Sequence, residues 1–265
     1  MTGAGSDIGL GRNMVDAFVR AGARVAMMDI DEKSLDATLT EVRELAGKDA
    51  AIPIVGDISK PEDGERAVKQ TIDELGGLDI LVNNAGTTGV RAGAKRDARA
   101  WEITPEAWFR VISVNVNGAF HMARAAVPQM VAHGWGRVIG VTTSLDTMLR
   151  AGGAPYGPSK AAHEAFVAIL AEELGGTGVT ANVLVPGGAT ATNLGGPGRD
   201  PTGRLKPDIM QAPAVWLASS ASDGFNGHRL VAYYWDENLP IERRLERAGA
   251  PAGWPQLGRK ELPTP

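Results

Sequence analysis

The sequence alternates short apolar segments with longer amphipathic ones, and this alternation constrains the fold more than any other feature. Five apolar runs of strand length occur at residues 24–29, 51–55, 78–82, 136–141 and 179–185, and a sixth follows at 230–235. Each run is nearly continuous in apolar residues, which is typical of strands buried on both faces. The pattern predicts an α/β fold with a doubly wound parallel sheet covered by helices on both faces.

Glycines and polar residues gather where these apolar runs end. Gly56 and Asp57 follow the second run, Asn-Asn-Ala-Gly at 83–86 follows the third, and three hydroxyl residues at 142–144 follow the fourth. Because the carboxyl ends of parallel strands meet at one edge of a sheet, we expect these residues to lie close together. Open α/β sheets bind their ligands at that edge.

The first helical segment follows a glycine-rich stretch. Residues 2–11 read Thr-Gly-Ala-Gly-Ser-Asp-Ile-Gly-Leu-Gly and lead into a helical pattern at 8–21. Glycines at 3, 5 and 9 allow a tight turn and the close approach of a pyrophosphate, which would lie at the helix N-terminus. An ordinary turn has the same composition, so both interpretations stay open. The expected inner face of this helix consists of Met14, Val15, Phe18 and Val19.

Asp29 ends the first apolar run, about twenty residues beyond the glycines. A carboxylate at this place is expected to hydrogen-bond the adenosine ribose hydroxyls of NAD and to repel the additional phosphate of NADP. Asp29 could instead cap the next helix, whose pattern covers residues 33–46.

Tyr156 and Lys160 stand at the head of an apolar helical run that ends near Leu174. Side chains four residues apart lie on one helix face, with their Cβ atoms about 5–6 Å apart. A free phenol has a pKa of about 10, and a nearby ammonium lowers that value. The pair is therefore a candidate acid/base unit, although a solvated surface pair has the same spacing.

Composition excludes several classes of protein. The 265 residues carry a net charge of −4 and contain no cysteine, which argues against nucleic-acid binding, disulfides and cysteine-ligated zinc. The four histidines are scattered, so no metal site is expected. No apolar run approaches the roughly 18 residues of a membrane span. With no signal peptide before the glycine motif, a cytoplasmic protein is expected.

The chain is expected to form one domain over residues 1–265, with its core ending at about 235. A loop rich in glycine and arginine covers 87–100, and a helix or kinked helix pair covers 105–131. Residues 189–207 are dense in glycine, proline and threonine and are predicted to form a substrate lid. The charged, proline-rich segment 237–265 is predicted to be a peripheral tail.

Taken together, these residues resemble the short-chain dehydrogenase/reductase family, in its single-domain branch. The resemblance extends to about Trp235. It rests on Thr2, Gly3, Gly9, Asp57, Asn83 to Gly86, Asn115, the hydroxyls at 142–144, Tyr156, Lys160, Pro186 and Gly187. It implies a Rossmann-type fold and an NAD-dependent oxidoreductase that interconverts a secondary alcohol and a ketone or aldehyde. Relatives are commonly homodimers or homotetramers formed through the helices at 105–131 and 156–174.

The resemblance also implies roles for individual residues. Tyr156 would exchange a proton with the substrate oxygen, while Lys160 would lower the pKa of Tyr156 and hold the nicotinamide ribose. Asn115 would hold a water that links Lys160 to solvent. Thr143 matches the family's catalytic serine by position and Ser144 by residue type, and both stay candidates. The expected cofactor-binding residues are Gly3, Ser6, Asp7, Ile8, Gly9, Asp29, Asp57, Ile58, Asn84, Ala85, Gly86, Tyr156, Lys160, Pro186, Gly187, Thr190 and Thr192.

The sequence departs from the family in further places. Asp7 replaces a glycine, and aspartate tolerates a left-handed backbone better than most residues, but its charge would lie near a pyrophosphate. The family's central first strand is missing, which suggests a truncated or misassigned start. The final run ends in Tyr-Tyr-Trp instead of the common Asp-Gly-Gly.

Two alternative functions remain. One is an NADP-linked carbonyl or 3-oxoacyl reductase. Asp29 argues against it, as does Ser6, which stands where NADP-preferring relatives often carry a basic residue. The other is a catalytically silent nucleotide-binding scaffold or sensor, which Asp7 and the absent strand favour and the presence of Tyr156 and Lys160 opposes.

Overall fold

The computed structural model describes residues 1–90, 97–195 and 200–257. The helices are α1 Leu10–Arg20, α2 Glu32–Ala46, α3 Pro61–Leu75, α4 Pro105–Ile112, α5 Gly118–His133, α6 Leu145–Leu149, α7 Tyr156–Glu173, α8 Gln211–Ala218 and α9 Ile241–Ala248. The strands are β1 Val25–Asp29, β2 Ala51–Val55, β3 Ile80–Asn83, β4 Gly136–Val141, β5 Val179–Val185, β6 His228–Val231 and β7 Gly249–Pro251. The predicted α/β alternation is confirmed.

The sheet is parallel except at one edge. β1 pairs with β2, and β3 to β6 pair in sequence order, all in parallel, while β7 joins β6 antiparallel. The chain start connects the two parts: the Met28 N–H donates to the Met1 carbonyl at 2.9 Å, and the Thr2 N–H donates to the Val82 carbonyl at 3.1 Å. As the sequence predicts, no full strand of the described chain lies between β1 and β3.

Helices cover both faces of the sheet, as predicted, and each face has its own core. Met14, Leu35 and Leu217, from α1, α2 and α8, are fully buried on one face. Val68 and Met122, from α3 and α5, are buried on the other face together with residues of α7. The predicted inner face of α1 is confirmed, since its four residues are all buried: Met14, Val15, Phe18 and Val19.

The end of the chain differs from the sequence expectation. The run at 230–235 leaves the sheet after Val231 through a short 3-10 turn, and the Trp235 ring then packs 5.3 Å from that of Trp216. The tail returns through α9 and adds β7, and the Ala252 N–H donates to the Gly227 carbonyl at 2.9 Å. Local hydrophobicity could not reveal this strand, because the residues of β6 with which it pairs lie 19 to 23 positions earlier in the sequence.

Other local differences are small. The helix at 105–133 is continuous through a π turn at Ser113–Asn117, and α6 was not predicted. Within the described ranges, no helix is both long and apolar enough to cross a membrane. The predicted loop, lid and tail fall partly outside the described residues, at 91–96, 196–199 and 258–265.

Candidate active site

A cleft of about 720 Å³ runs along the carboxyl edge of the sheet. Most of the residues that the sequence singled out line it. They are Gly3, Ser6, Asp7, Gly9, Asp29, Asp57, Ile58, Asn84, Ala85, Gly86, Thr143, Tyr156, Lys160, Pro186, Thr190 and Thr192. Four do not line it: Ile8, Asn115, Ser144 and Gly187.

The glycine-rich turn packs too closely for larger residues. Gly3 has a φ of +67°, and a Cβ on it would lie 2.8 Å from the Ala85 Cα. A Cβ on Gly11 would lie 2.2 Å from the Gly3 carbonyl oxygen. The Asn84 side chain secures the turn by donating to the carbonyls of Thr2 and Gly3, at 2.9 and 3.0 Å.

The N-terminus of α1 lies at this turn and faces the cleft. Its N-cap residue is Gly9, and no side chain caps the first turn. The backbone N–H groups there are available to an anion, and the helix dipole favours negative charge at the same place. The turn and the helix start therefore fit the pyrophosphate of a dinucleotide.

Asp7 causes no backbone strain. Its φ is not positive, so the left-handed conformation that we considered for this position does not occur. Its Oδ1 accepts from the Ile8 N–H at 2.9 Å and from the Asn193 Nδ2 at 3.1 Å. The exposed carboxylate is thus hydrogen-bonded to the segment predicted to form the lid.

Asp29 lies at the end of β1 beside the glycine turn. Its Oδ2 accepts from the Gly5 N–H at 2.8 Å, and its Oδ1 accepts from the Asp31 N–H at 3.2 Å. The N-cap of α2 is Asp31, which accepts from the Ser34 N–H. The alternative role of Asp29 as the helix cap is therefore wrong. Each carboxylate oxygen keeps a lone pair for a ribose hydroxyl.

Asp57 forms the far wall of the same end of the cleft. Its carboxylate accepts from the Ser59 hydroxyl at 2.7 Å and pairs with Arg110 of α4 at 3.1 Å. Partial burial acts to raise the pKa of Asp57, but the hydrogen bonds from Ser59 and Arg110 outweigh it and hold that pKa below its usual value. Arg110 itself lines the cleft and was not predicted.

Tyr156 and Lys160 lie at the other end of the cleft, on the first turns of α7. The Lys160 Nζ donates to the Val141 carbonyl at 2.8 Å and lies 5.9 Å from the centroid of the Tyr156 ring. Burial raises the pKa of Tyr156 to about 12 and lowers the pKa of Lys160 to about 8. The direction at Tyr156 is opposite to the sequence expectation, because burial disfavours the charged phenolate.

Asn115 is buried behind the cleft, inside the π turn. Its Nδ2 donates to the Thr87 carbonyl at 3.0 Å and to the Ser159 hydroxyl at 2.8 Å, and its Oδ1 accepts from the Thr87 N–H at 2.8 Å. A Cβ on Gly86 would lie 3.3 Å from both the Asn115 Oδ1 and the Lys160 Nζ. Asn115 therefore belongs to the wall behind Lys160, and π turns of this kind are frequent at functional sites.

The two candidate hydroxyls occupy different positions. Thr143 lines the cleft, whereas Ser144 is the N-cap residue of α6 and its hydroxyl lies 3.0 Å from that of Thr147. Ile8 is 48% exposed outside the cleft, and Gly187 backs onto the Cβ of Tyr233.

Sequence reasoning missed several residues of the cleft wall. They include Asp31, Ser34, Thr87, Thr147, Arg150, Asn193 and Arg204. Asn193 and Arg204 belong to the predicted lid, and the glycine-, proline- and threonine-rich composition of that segment was the only local feature that indicated a role for them. Arg150 follows α6, a helix too short to be recognised from periodicity.

Known proteins are similar to this chain over most of its length. A family model described as short chain dehydrogenase matches residues 1–201. L-rhamnose-1-dehydrogenase of Scheffersomyces stipitis is 33% identical over 242 residues, which cover 86% of this chain and 91% of that enzyme.

Two solved structures share the fold, with similar TM-scores and sequence identities. One is a 3-ketoacyl-(acyl-carrier-protein) reductase from Brucella melitensis complexed with NADH, with a TM-score of 0.73, 29% identity, and coverage of 85% of this chain and 91% of that one. The other is a gluconate 5-dehydrogenase from Burkholderia cenocepacia with NADP and tartrate, with a TM-score of 0.74, 29% identity, and coverage of 87% and 91%. The chain belongs to the short-chain dehydrogenase family, whose members are oxidoreductases that act on alcohol and ketone groups with nicotinamide cofactors.

Proposed function

We propose that this chain is an NAD-dependent oxidoreductase that interconverts a secondary alcohol and a ketone or aldehyde. The observation that carries the proposal is one cleft with Asp29 at one end and Tyr156 beside Lys160 at the other. The first end offers a carboxylate to an adenosine ribose, and the second offers a proton donor to a carbonyl oxygen. The α1 N-terminus lies at the glycine turn of the same cleft, where the pyrophosphate would bind.

The proposed cofactor residues form two groups. Gly3, Gly9, Asp29 and Asp57 would hold the adenosine and pyrophosphate, while Lys160 would hold the nicotinamide ribose. When bound, NAD supplies the hydride chemistry of the reaction. The protein contributes orientation and proton transfer.

Proton transfer is assigned to Tyr156. Because the pKa of Tyr156 is about 12, its hydroxyl keeps its proton at neutral pH and is ready to donate to a carbonyl oxygen. The Thr143 hydroxyl would bind the same substrate oxygen. In the oxidative direction Tyr156 must accept a proton, so we expect the rate of alcohol oxidation to rise with pH.

Calorimetric titration and turnover test the proposal together. We expect the 265-residue chain to bind NAD more tightly than NADP and to reduce NAD with members of a secondary-alcohol panel. Tyr156→Phe should abolish turnover while NAD affinity stays within about twofold, because only the proton donor is lost. NAD binding without turnover in the unmodified chain would favour the scaffold alternative, and tighter NADP binding would favour the NADP-linked reductase.

We also infer a homo-oligomer formed through α4, α5 and α7. Phe109, Phe120 and Ile169 are 66%, 46% and 58% exposed on these helices, and the Phe120 ring lies 6.0 Å from that of Phe166. Exposed apolar side chains on neighbouring helices are typical of interaction surfaces, and this supports the inferred assembly.

A further inference from the structure

A buried ion pair lies directly behind the catalytic end of the cleft. Glu164 of α7 is fully buried, and its Oε1 lies 3.0 Å from the Nε of Arg229 of β6, whose side chain is 9% exposed. The other carboxylate oxygen, Oε2, accepts from the Thr142 hydroxyl at 3.1 Å. The backbone of Gly253, in the returning tail, also hydrogen-bonds Glu164.

The pair holds both residues that follow β4. Glu164 holds Thr142 through its hydroxyl, and the Arg229 guanidinium donates from Nη2 to the Thr143 carbonyl at 3.0 Å. Thr143 is the hydroxyl that lines the cleft. Its peptide is therefore secured from two sides by charged groups that are themselves shielded from water.

The same pair connects this peptide to the helix of Tyr156. Tyr156, Lys160 and Glu164 are spaced by four residues along α7, so they share one face of the helix. Movement of Thr143 relative to Tyr156 would require breaking contacts to Glu164 or Arg229. Catalysis depends on such positioning, since a displacement of about 1 Å can cost about 100-fold in rate.

We propose that Glu164 and Arg229 are positioning residues that hold the Thr143 hydroxyl in register with Tyr156. The inference rests on the proposed dehydrogenase function. The tail also contributes to this positioning, because the Gly253 backbone hydrogen-bonds Glu164. Neither charged residue touches the cleft, so their effect on the reaction is transmitted through Thr142 and Thr143.

Single and double substitutions separate positioning from stability. Glu164→Met or Arg229→Met leaves one buried charge without its partner, so both melting temperature and kcat should fall. In Glu164→Met/Arg229→Met no buried charge remains, and an apolar pair of similar volume generally restores stability. We expect the melting temperature of the double variant to be close to that of the unmodified protein, while its kcat stays at least about tenfold below the unmodified value. KM and NAD affinity should stay within about twofold. Recovery of kcat together with melting temperature would overturn the proposal.

Arg137 provides the matched control. It is another buried arginine, 1% exposed, but it lies at the opposite end of β4 and pairs with the exposed Asp223. Arg137→Met should lower the melting temperature without changing kcat. An equal loss of kcat in this variant would show that any damage to a buried arginine impairs the site, and would contradict a specific role for Arg229.

Hydrogen exchange tests the positioning without turnover. Peptides covering residues 142–150 should exchange several times faster in the double variant, while those covering β3 keep their rates. Unchanged exchange at 142–150 would refute the positioning role. If the unmodified chain oxidises none of the alcohols, the proposed function fails, and the exchange result still decides the role of Glu164 and Arg229.

Discussion

Burial acts on Tyr156 and Lys160 in opposite directions. It favours the neutral form of each, so the phenol pKa rises to about 12 and the ammonium pKa falls to about 8. In an unfolded chain Lys160 would hold its proton up to the ordinary lysine pKa of 10.5. Between pH 8 and 10.5 the unfolded state therefore binds more protons at this group, and stability increases with pH. Below pH 8 Lys160 is charged in both the folded and the unfolded chain, so the whole penalty for burying its ammonium is subtracted from the free energy of unfolding.

Replacement of Lys160 tests this penalty. We expect Lys160→Met to be more stable than the unmodified protein by about 2 kcal/mol at about pH 7, after allowing for the lost hydrogen bond to Val141. The gain should shrink above pH 8 and be gone by pH 10.5. Urea denaturation at a series of pH values across this range measures it, and a difference that does not vary with pH would contradict the assignment. Turnover should be lost at every pH.

Asp29 is expected to determine the choice of cofactor. Asp29→Ala removes an acceptor for the ribose hydroxyls and a charge that opposes a 2′-phosphate. NAD should bind about tenfold more weakly, which corresponds to about 1.4 kcal/mol, and NADP should bind more tightly. Calorimetry on Asp36→Ala provides the control, because Asp36 is exposed on α2 and does not line the cleft. If the ratio of the NAD and NADP affinities did not change, Asp29 would have no role in cofactor choice.

At the scale of elements, α6 packs against the start of α7 at Gly157, where there is no room for a side chain. A Cβ on Gly157 would lie 2.2 Å from the Met148 carbonyl oxygen. Gly157→Ala should therefore destabilise the protein by about 1–3 kcal/mol, although alanine is the better helix former. The displaced segment carries Thr147 and Arg150, which line the cleft, so KM should rise.

Gly64 in α3 is the matched comparison. A Cβ there would meet its nearest neighbour, the Met122 sulfur, at an ordinary 3.5 Å. Gly64→Ala should raise stability by up to about 1 kcal/mol through helix propensity alone. Thermal melts of the two variants give shifts of opposite sign if close packing, rather than glycine itself, is the cause. A loss of stability in both would contradict this account.

At the scale of the whole molecule, the exposed apolar side chains of α4, α5 and α7 should govern assembly. Ile169→Glu places a charge on this surface and is expected to yield folded monomers, because a buried unpaired charge opposes association. Leu45→Glu is the control, since Leu45 is 41% exposed on α2. Sedimentation should show oligomers for the unmodified chain and for Leu45→Glu. A monomeric unmodified chain would disprove the inferred assembly.

Much of the architecture could be predicted from local pattern. The α7 helix begins at Tyr156 as expected, and the strands 51–55, 136–141 and 179–185 have their predicted bounds. The tail was harder, because β7 is three residues long and depends on β6 for its pairing. Among site residues, Thr143 and Ser144 could not be separated by sequence. Thr143 lines the cleft and Ser144 does not, because Ser144 is the N-cap residue of α6.

The sequence by itself determined the elements, their order and the residue types at the carboxyl edge of the sheet, because periodicity, glycine turns and motif spacing act over a few residues. Only the tertiary structure decided which distant groups share one environment. It brought Arg110 to Asp57, Arg229 to Glu164 and Asn193 to Asp7. It also reversed the expected pKa direction at Tyr156, because burial depends on packing between segments that are remote along the chain.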